Sequence, residues 1–224
     1  MGVVNGKPVE IGGSLGRTGA TGLGVVFTAE KACEKIKLKF SDSTWIVQGF
    51  GNVGMHAALY AHQRGAKVLA VSDVAGAIFN SNGLDIPALI EHVKETKFVT
   101  GFKGSEKIDA KELLTMKCDI LAPCAVEGVI HEGNASKIKA KIIVEGANGP
   151  VSDIATKQLN DAGIFVIPDI LANGGGVIVS YFEWVQSLSW LFWDEDTVNS
   201  KMKQIITQAF DRVWDLKQEK RIDM

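Results

Sequence analysis

Short apolar runs rich in β-branched residues recur along this chain, each separated from the next by a stretch of helical periodicity. From Gly22, the residues Val25, Val26, Ala29, Ala32, Cys33 and Ile36 fall at helical spacing and predict a helix ending near Lys39. Residues 44–48 read as a strand, 52–64 as an Ala-rich helix and 67–72 as a second strand. Asn80-Ser81-Asn82-Gly83 reads as a turn, with helices predicted at Leu84 to Lys94 and Ala110 to Met116. Further strands are predicted at Asp119 to Ala122, Ile142 to Glu145 and Ile164 to Ile167. Strands alternating with helices predict an α/β fold: a mostly parallel, doubly wound sheet with flanking helices. Ligands of such sheets lie beyond the carboxyl ends of the strands, which makes residues 48–52, 72–73, 123–126, 146–150 and 168–173 the candidate cleft walls.

The pattern changes after Gly176. Tyr181 to Trp193 is dense in aromatics, and four of the five tryptophans lie between Trp184 and Trp214. Val198, Met202, Ile205, Ala209 and Val213 then predict a C-terminal amphipathic helix. The aromatic segment is expected either to pack on the sheet or to form a hinge or interface surface. The expected organisation is an entry loop and helix (1–39), a dinucleotide-binding unit (40–175), and an aromatic-rich hinge with the C-terminal helix (176–224).

Composition narrows the function classes. A net charge of −2 with no dense Lys/Arg run leaves no electrostatic footprint for nucleic acid or an anionic membrane. No apolar run reaches the roughly 20 residues of a membrane span, and Met1-Gly2-Val3 does not open a signal peptide. Cys33, Cys118 and Cys124 lack C-x-x-C spacing and read as reduced thiols, so a cytoplasmic location is expected. The four histidines are scattered, and no metal site is expected.

The chemistry concentrates at Gln48-Gly49-Phe50-Gly51-Asn52-Val53-Gly54, which joins the first strand to its helix. Asp73 follows at the end of the second strand, 73 − 54 = 19 residues past the last glycine. Strand, glycine turn, helix, strand and acid, in that order, form the Rossmann-like dinucleotide signature. Gly49 permits the turn, Gly51 allows close approach of a pyrophosphate, and Gly54 lets helix and strand pack. The helix N-terminus favours the phosphate charge. The competing reading is a glycine-rich turn with no ligand. Asp73 favours NAD, since it can accept from the adenosine 2′-hydroxyl and repel a 2′-phosphate. NADP remains the alternative, because Ser72 rather than Asp73 can be the residue facing the ribose.

Further motifs surround this turn in a fixed order: Gly12-Gly13-Ser14, Gly16-Arg17 with Ala20-Thr21-Gly22, Glu145-Gly146-Ala147-Asn148-Gly149-Pro150, Pro168-Asp169-Ile170-Leu171-Ala172-Asn173, and Val179-Ser180-Tyr181-Phe182-Glu183-Trp184-Val185-Gln186. Together they resemble the glutamate dehydrogenase family, within the Glu/Leu/Phe/Val dehydrogenase superfamily. The resemblance covers essentially the whole chain and corresponds to the family's nucleotide-binding portion. It implies reversible oxidative deamination of L-glutamate to 2-oxoglutarate and ammonia. It also implies a homohexameric complete enzyme, with a smaller assembly or monomer for this portion. The family's catalytic lysine and aspartate belong to another domain, and no such lysine motif occurs here, so this portion is expected to bind cofactor and turn over little.

Carried over residue by residue, the resemblance implies that Thr21 bonds the nicotinamide carboxamide and Arg17 lies at the cleft mouth. Gly49, Gly51, Asn52 and Val53 hold the pyrophosphate, within a turn that includes Phe50 and Gly54. Ala125 and Val126 border the nicotinamide ribose, and Asn148 contacts that ribose or the substrate edge. Asn173 and Val177 shape the substrate pocket, and Ser180 donates to the substrate side-chain carboxylate. Simpler roles compete: an N-cap for Thr21, turn positions for Asn148 and Asn173, a surface hydroxyl for Ser180, a small buried group for Cys124. The chain departs from the family pattern at Val151-Ser152-Asp153 and at Gly174. The alternatives are the cofactor portion of a leucine, valine or phenylalanine dehydrogenase, or a non-catalytic nucleotide-binding module.

Overall fold

A computed structural model describes residues 2–224; Met1, at the head of the stretch examined for a signal peptide, lies outside them. The helices are α1 (Ala20–Lys35), α2 (Asn52–Gln63), α3 (Ile86–Thr96), α4 (Ala110–Leu113), α5 (Asp153–Asp161), α6 (Asp169–Ala172), α7 (Gly175–Ser189) and α8 (Glu195–Lys220). The strands are β1 (Thr44–Gln48), β2 (Lys67–Asp73), β3 (Gly76–Phe79), β4 (Glu106–Ile108), β5 (Ile120–Pro123), β6 (Ile142–Val144) and β7 (Phe165–Ile167).

They form one sheet in the order β4-β3-β2-β1-β5-β6-β7. β2, β1, β5, β6 and β7 run parallel, and β3 and β4 add an antiparallel edge. The order reverses at β1, between β2 on one side and β5 on the other, which places a topological switch point above its carboxyl end.

Strand periodicity divides the core into two layers. Trp45 and Val47, Ile120 and Ala122, Ile142 and Val144, and Phe165 and Ile167 face one layer with α1, α2 and the end of α8. The intervening Ile46, Leu121, Ile143 and Val166 face the other layer, with Leu113, Ala155 and Leu159. Both faces of the sheet are covered, as parallel strands require.

Several boundaries differ from the expected ones for local reasons. α1 stops at Lys35, short of Lys39, because Lys37 turns left-handed (φ 59°) and Leu38 N–H closes back on the Cys33 carbonyl. α3 starts two residues late: Leu84 N–H still bonds the Val68 carbonyl, and Asp85 caps the helix by accepting from Ala88 N–H. β3 and β4 escaped detection because neither carries a continuous buried apolar run: β3 buries only Ala77 and Ile78, and β4 is solvent-facing along most of its three residues. α7 packs on α1 and α8 rather than on the sheet, through Val179 and Phe182 against Leu23, Phe27, Met202 and Ile206. Its other side leaves Tyr181, Trp184 and Leu188 exposed, and the following Trp190, Leu191 and Phe192 are exposed as well.

Candidate functional site

The glycine turn between β1 and α2 is built as its spacing demands. Gly49 adopts φ 93°, and its N–H donates to Ser72 Oγ at 3.2 Å, so the end of β2 supports the turn from below. A Cβ at Gly54 would overlap the carbonyl oxygen of Gly49, which fixes how closely α2 approaches β1. A Cβ at Gly51 would meet nothing within 4 Å. Gly51 is the N-cap of α2, and no side chain caps the first N–H groups there. Free donors at the positive end of a helix, facing open space, suit a pyrophosphate.

Beside this turn lies a cleft of about 670 Å³ at the carboxyl ends of β5, β6 and β7. Of the residues predicted from sequence, Arg17, Thr21, Val53, Ala125, Val126, Asn148, Asn173 and Val177 line it. Thr21 sits in the first turn of α1, whose N-cap is Gly19, so it is not a capping residue. Thr21 Oγ1 lies so close to Gly176 that any side chain at 176 would collide with it. Asn173 Nδ2 donates to Asn148 Oδ1 at 2.8 Å and to the Ala147 carbonyl at 3.3 Å, joining the loop after β6 to the segment after β7.

Other predicted residues lie outside the cleft wall. Phe50 is buried in the core beneath the turn. Asn52 Nδ2 donates to the Thr18 carbonyl, tying the start of α2 to the N-terminal arm. Ser72 is buried under Gly49 rather than turned toward solvent. Asp73 lies at the open end of β2, where its two carboxylate oxygens accept from Ala75 N–H (2.8 Å) and Val99 N–H (2.7 Å). Ser180 Oγ accepts from Arg17 Nε at 2.9 Å.

The cleft also contains Cys124, Gly146 and Ala147, which fall within the predicted cleft walls, and Glu127 and Gly176, which spacing did not single out. Burial pushes the Cys124 thiol up to about 12, which leaves it protonated and unreactive at neutral pH, as expected for a small buried group. Glu127 follows Ala125-Val126 directly, and continuing past the end of the strand was the only signal available for it. Glu183 and Lys7 were likewise missed as a pair: Glu183 is fully buried on α7 and accepts from Lys7 Nζ, Lys7 N–H and Gly6 N–H. Among the described residues no His, Cys, Asp or Glu group is placed to hold a metal ion, and no helix is long and apolar enough to cross a membrane.

Sheet order, glycine turn and switch-point cleft together define an α/β protein of the Rossmann-like class. A family model described as Glutamate/Leucine/Phenylalanine/Valine dehydrogenase matches residues 12–224, and the chain belongs to that family. It is 49% identical over 225 residues to the glutamate dehydrogenase of Thermotoga maritima, covering all of this chain and 54% of that protein. A hetero-hexameric glutamate dehydrogenase from Thermus thermophilus, in a leucine-bound form, superposes with a TM-score of 0.93 at 31% identity, over 99% of this chain and 52% of that one. A glutamate dehydrogenase from Peptoniphilus asaccharolyticus gives 0.85 at 34% identity, over 99% and 52%. The chain therefore spans about half the length of these relatives.

Proposed function

We propose that this chain is the nucleotide-binding portion of an NAD(P)-dependent glutamate dehydrogenase, which interconverts L-glutamate with 2-oxoglutarate and ammonia. The observation that carries this reading is the open cradle over Gly51 at the uncapped start of α2, beside a cleft edged by Thr21, Asn148, Asn173 and Val177. The N–H groups of the α2 start hold the pyrophosphate, and Gly51 keeps the approach clear. Thr21 offers its hydroxyl to the carboxamide of the nicotinamide, and Ala125 and Val126 border the adjoining ribose. When bound, the nicotinamide supplies a hydride acceptor or donor.

Arg17 and Ser180 favour a substrate with a side-chain carboxylate over the apolar substrates of leucine, valine or phenylalanine dehydrogenases. Their hydrogen bond places a guanidinium beside a hydroxyl, and among the described residues Arg17 pairs with no carboxylate. A guanidinium fork matches a carboxylate in charge and geometry. NAD is the preferred cofactor in this reading, because Asp73 places a carboxyl group at the end of β2; NADP is the alternative. The whole enzyme is homohexameric and cytoplasmic, and residues 176–224 supply an aromatic-rich hinge and the C-terminal helical segment packed on the nucleotide-binding unit. Catalytic turnover requires the lysine and aspartate of the family's other domain.

Titration calorimetry of the chain with NAD and NADP separately tests the cofactor assignment. Tight NAD with much weaker NADP is expected. Equal affinities would remove Asp73 as the discriminating group, and a folded sample that binds neither would overturn the reading.

A further inference from the structure

A second cavity of about 610 Å³ lies beside the loop after β6 and the turn after β7. Glu145, the residue after β6, is 6% exposed, and its side chain lines this second cavity rather than the cleft. Glu145 N–H extends the β6–β7 pairing by donating to the Ile167 carbonyl. Its Oε2 accepts from Asp169 N–H at 3.1 Å. Asp169 in turn accepts Gly149 N–H at 2.8 Å through Oδ2 and Ile170 N–H through Oδ1. These bonds tie the loop at 145–149 to the turn at 168–173, and it is on these two segments that Asn148 and Asn173 meet.

We propose that Glu145 is a positioning residue: with Asp169 it straps the loop after β6 to the turn after β7, and so sets the Asn148–Asn173 edge of the cleft. The inference rests on the cofactor reading of that cleft. Asp153 and Asp161 from α5, Asp169 from the start of α6 and Asp223 beyond α8 line the same cavity, and Lys157 is the one cation among the described residues that line it. Burial pushes the Glu145 carboxyl up to about 7; the bond from Asp169 N–H opposes it and outweighs the neighbouring Asp169 charge. In either protonation state Glu145 keeps an oxygen to accept the Asp169 N–H, so the strap is set by the acceptor rather than by the charge.

Glu145→Gln keeps an oxygen to accept the Asp169 N–H and removes the charge, whereas Glu145→Ala removes both. Calorimetric titration with NAD and with 5′-ADP, which lacks the nicotinamide half, separates the two ends of the site. Glu145→Ala is expected to weaken NAD binding roughly tenfold while 5′-ADP affinity stays level. Glu145→Gln, which keeps the acceptor, should bring NAD affinity back to near the wild-type value. NAD binding by Glu145→Ala as tight as wild type, or by Glu145→Gln as weak as Glu145→Ala, would overturn the proposal.

Amide resonances give a readout that needs no ligand. The Gly149 N–H and the Asn173 side-chain amide are expected to keep their wild-type positions in Glu145→Gln and to shift in Glu145→Ala. Their failure to shift in Glu145→Ala would overturn the strap even if both ligands bind. Loss of binding to both ligands with the amide shifts intact would instead overturn the cofactor reading, and the positioning role with it.

Discussion

Lys7 and Glu183 form the most enclosed ion pair among the described residues, and removing one partner tests how the N-terminal arm is held. Their side chains are 10% and 0% exposed, and Nζ lies 2.6 Å from Oε1. Gly6 N–H (2.9 Å) and Lys7 N–H (3.2 Å) also donate to the carboxylate, and Lys7 Nζ donates to the Val4 carbonyl as well. Lys7→Met leaves a carboxylate with no exposure and only the two backbone donors. Breaking a buried pair from one side typically costs 3–5 kcal/mol; the two remaining donors place this case near the lower end, about 3 kcal/mol. Glu183→Gln keeps an acceptor and frees Lys7 to swing toward water, so about 1–2 kcal/mol is expected. In urea unfolding near neutral pH, the double variant should be less destabilised than the sum of the two, by a coupling of more than about 1 kcal/mol. Burial pushes the Glu183 carboxyl up, but the bonds from the Lys7 side chain and from the Gly6 and Lys7 backbone outweigh it and hold the group below the ordinary value. A depressed acid stabilises the fold above its unfolded pKa and loses that contribution as pH falls through the folded value. The gap between wild type and Lys7→Met should therefore be full at neutral pH and close in acid, below the usual carboxylate range. A cost under about 0.5 kcal/mol for Lys7→Met, or no coupling, would refute the view that this pair anchors the arm.

Other substitutions separate folding from binding. Gly54→Ala should destabilise the fold by about 1–3 kcal/mol, because its Cβ would overlap the Gly49 carbonyl; Gly51→Ala, which meets open space, should cost less than about 1 kcal/mol yet weaken NAD binding at least tenfold, as calorimetry would show. Thiol-reactive dye should label none of the cysteines in native protein near neutral pH and all three on unfolding, since all are buried and burial pushes each thiol up to about 12. Glu145→Gln should stabilise the chain above pH 7 by up to about 3 kcal/mol in urea unfolding, because wild type there carries an ionised carboxyl that the fold disfavours. A raised acid costs nothing below its unfolded value, so the advantage should vanish below about pH 4.5.

How much was legible depended on whether a segment's role was written in period and turn chemistry. The parallel strands announced themselves because burial on both faces demands continuous apolar runs such as Trp45-Ile46-Val47 and Ile142-Ile143-Val144. β4, with Glu106 and Lys107 facing solvent, carries no such demand and was silent. The glycine turn was legible because Gly49 needs its positive φ and Gly54 its close packing, while Gly51 leaves the approach to α2 open. The partners of Asp73 were not, since Val99 N–H reaches it only because the antiparallel edge folds back past the end of β2. The same limit hid Lys7 and Glu183, which are 176 residues apart and meet only in the folded chain.

The polar groups of α7 show why the arm and the cleft belong to one device. Ser180, Glu183 and Gln186 recur every three residues on a helix that is otherwise largely apolar, so they share one side of it. Each engages the N-terminal arm: Ser180 accepts from Arg17, Glu183 from Lys7 and Gly6, and Gln186 donates to Ser14 Oγ at 2.9 Å. Arg17 is at once the last of these attachments and part of the cleft wall. An arm loosened at Lys7 should therefore be felt at the cleft through Arg17, although Lys7 itself touches no part of it. α7 thus meets the cleft twice, directly through Gly176 and Val177 and through the Arg17 that its polar stripe holds.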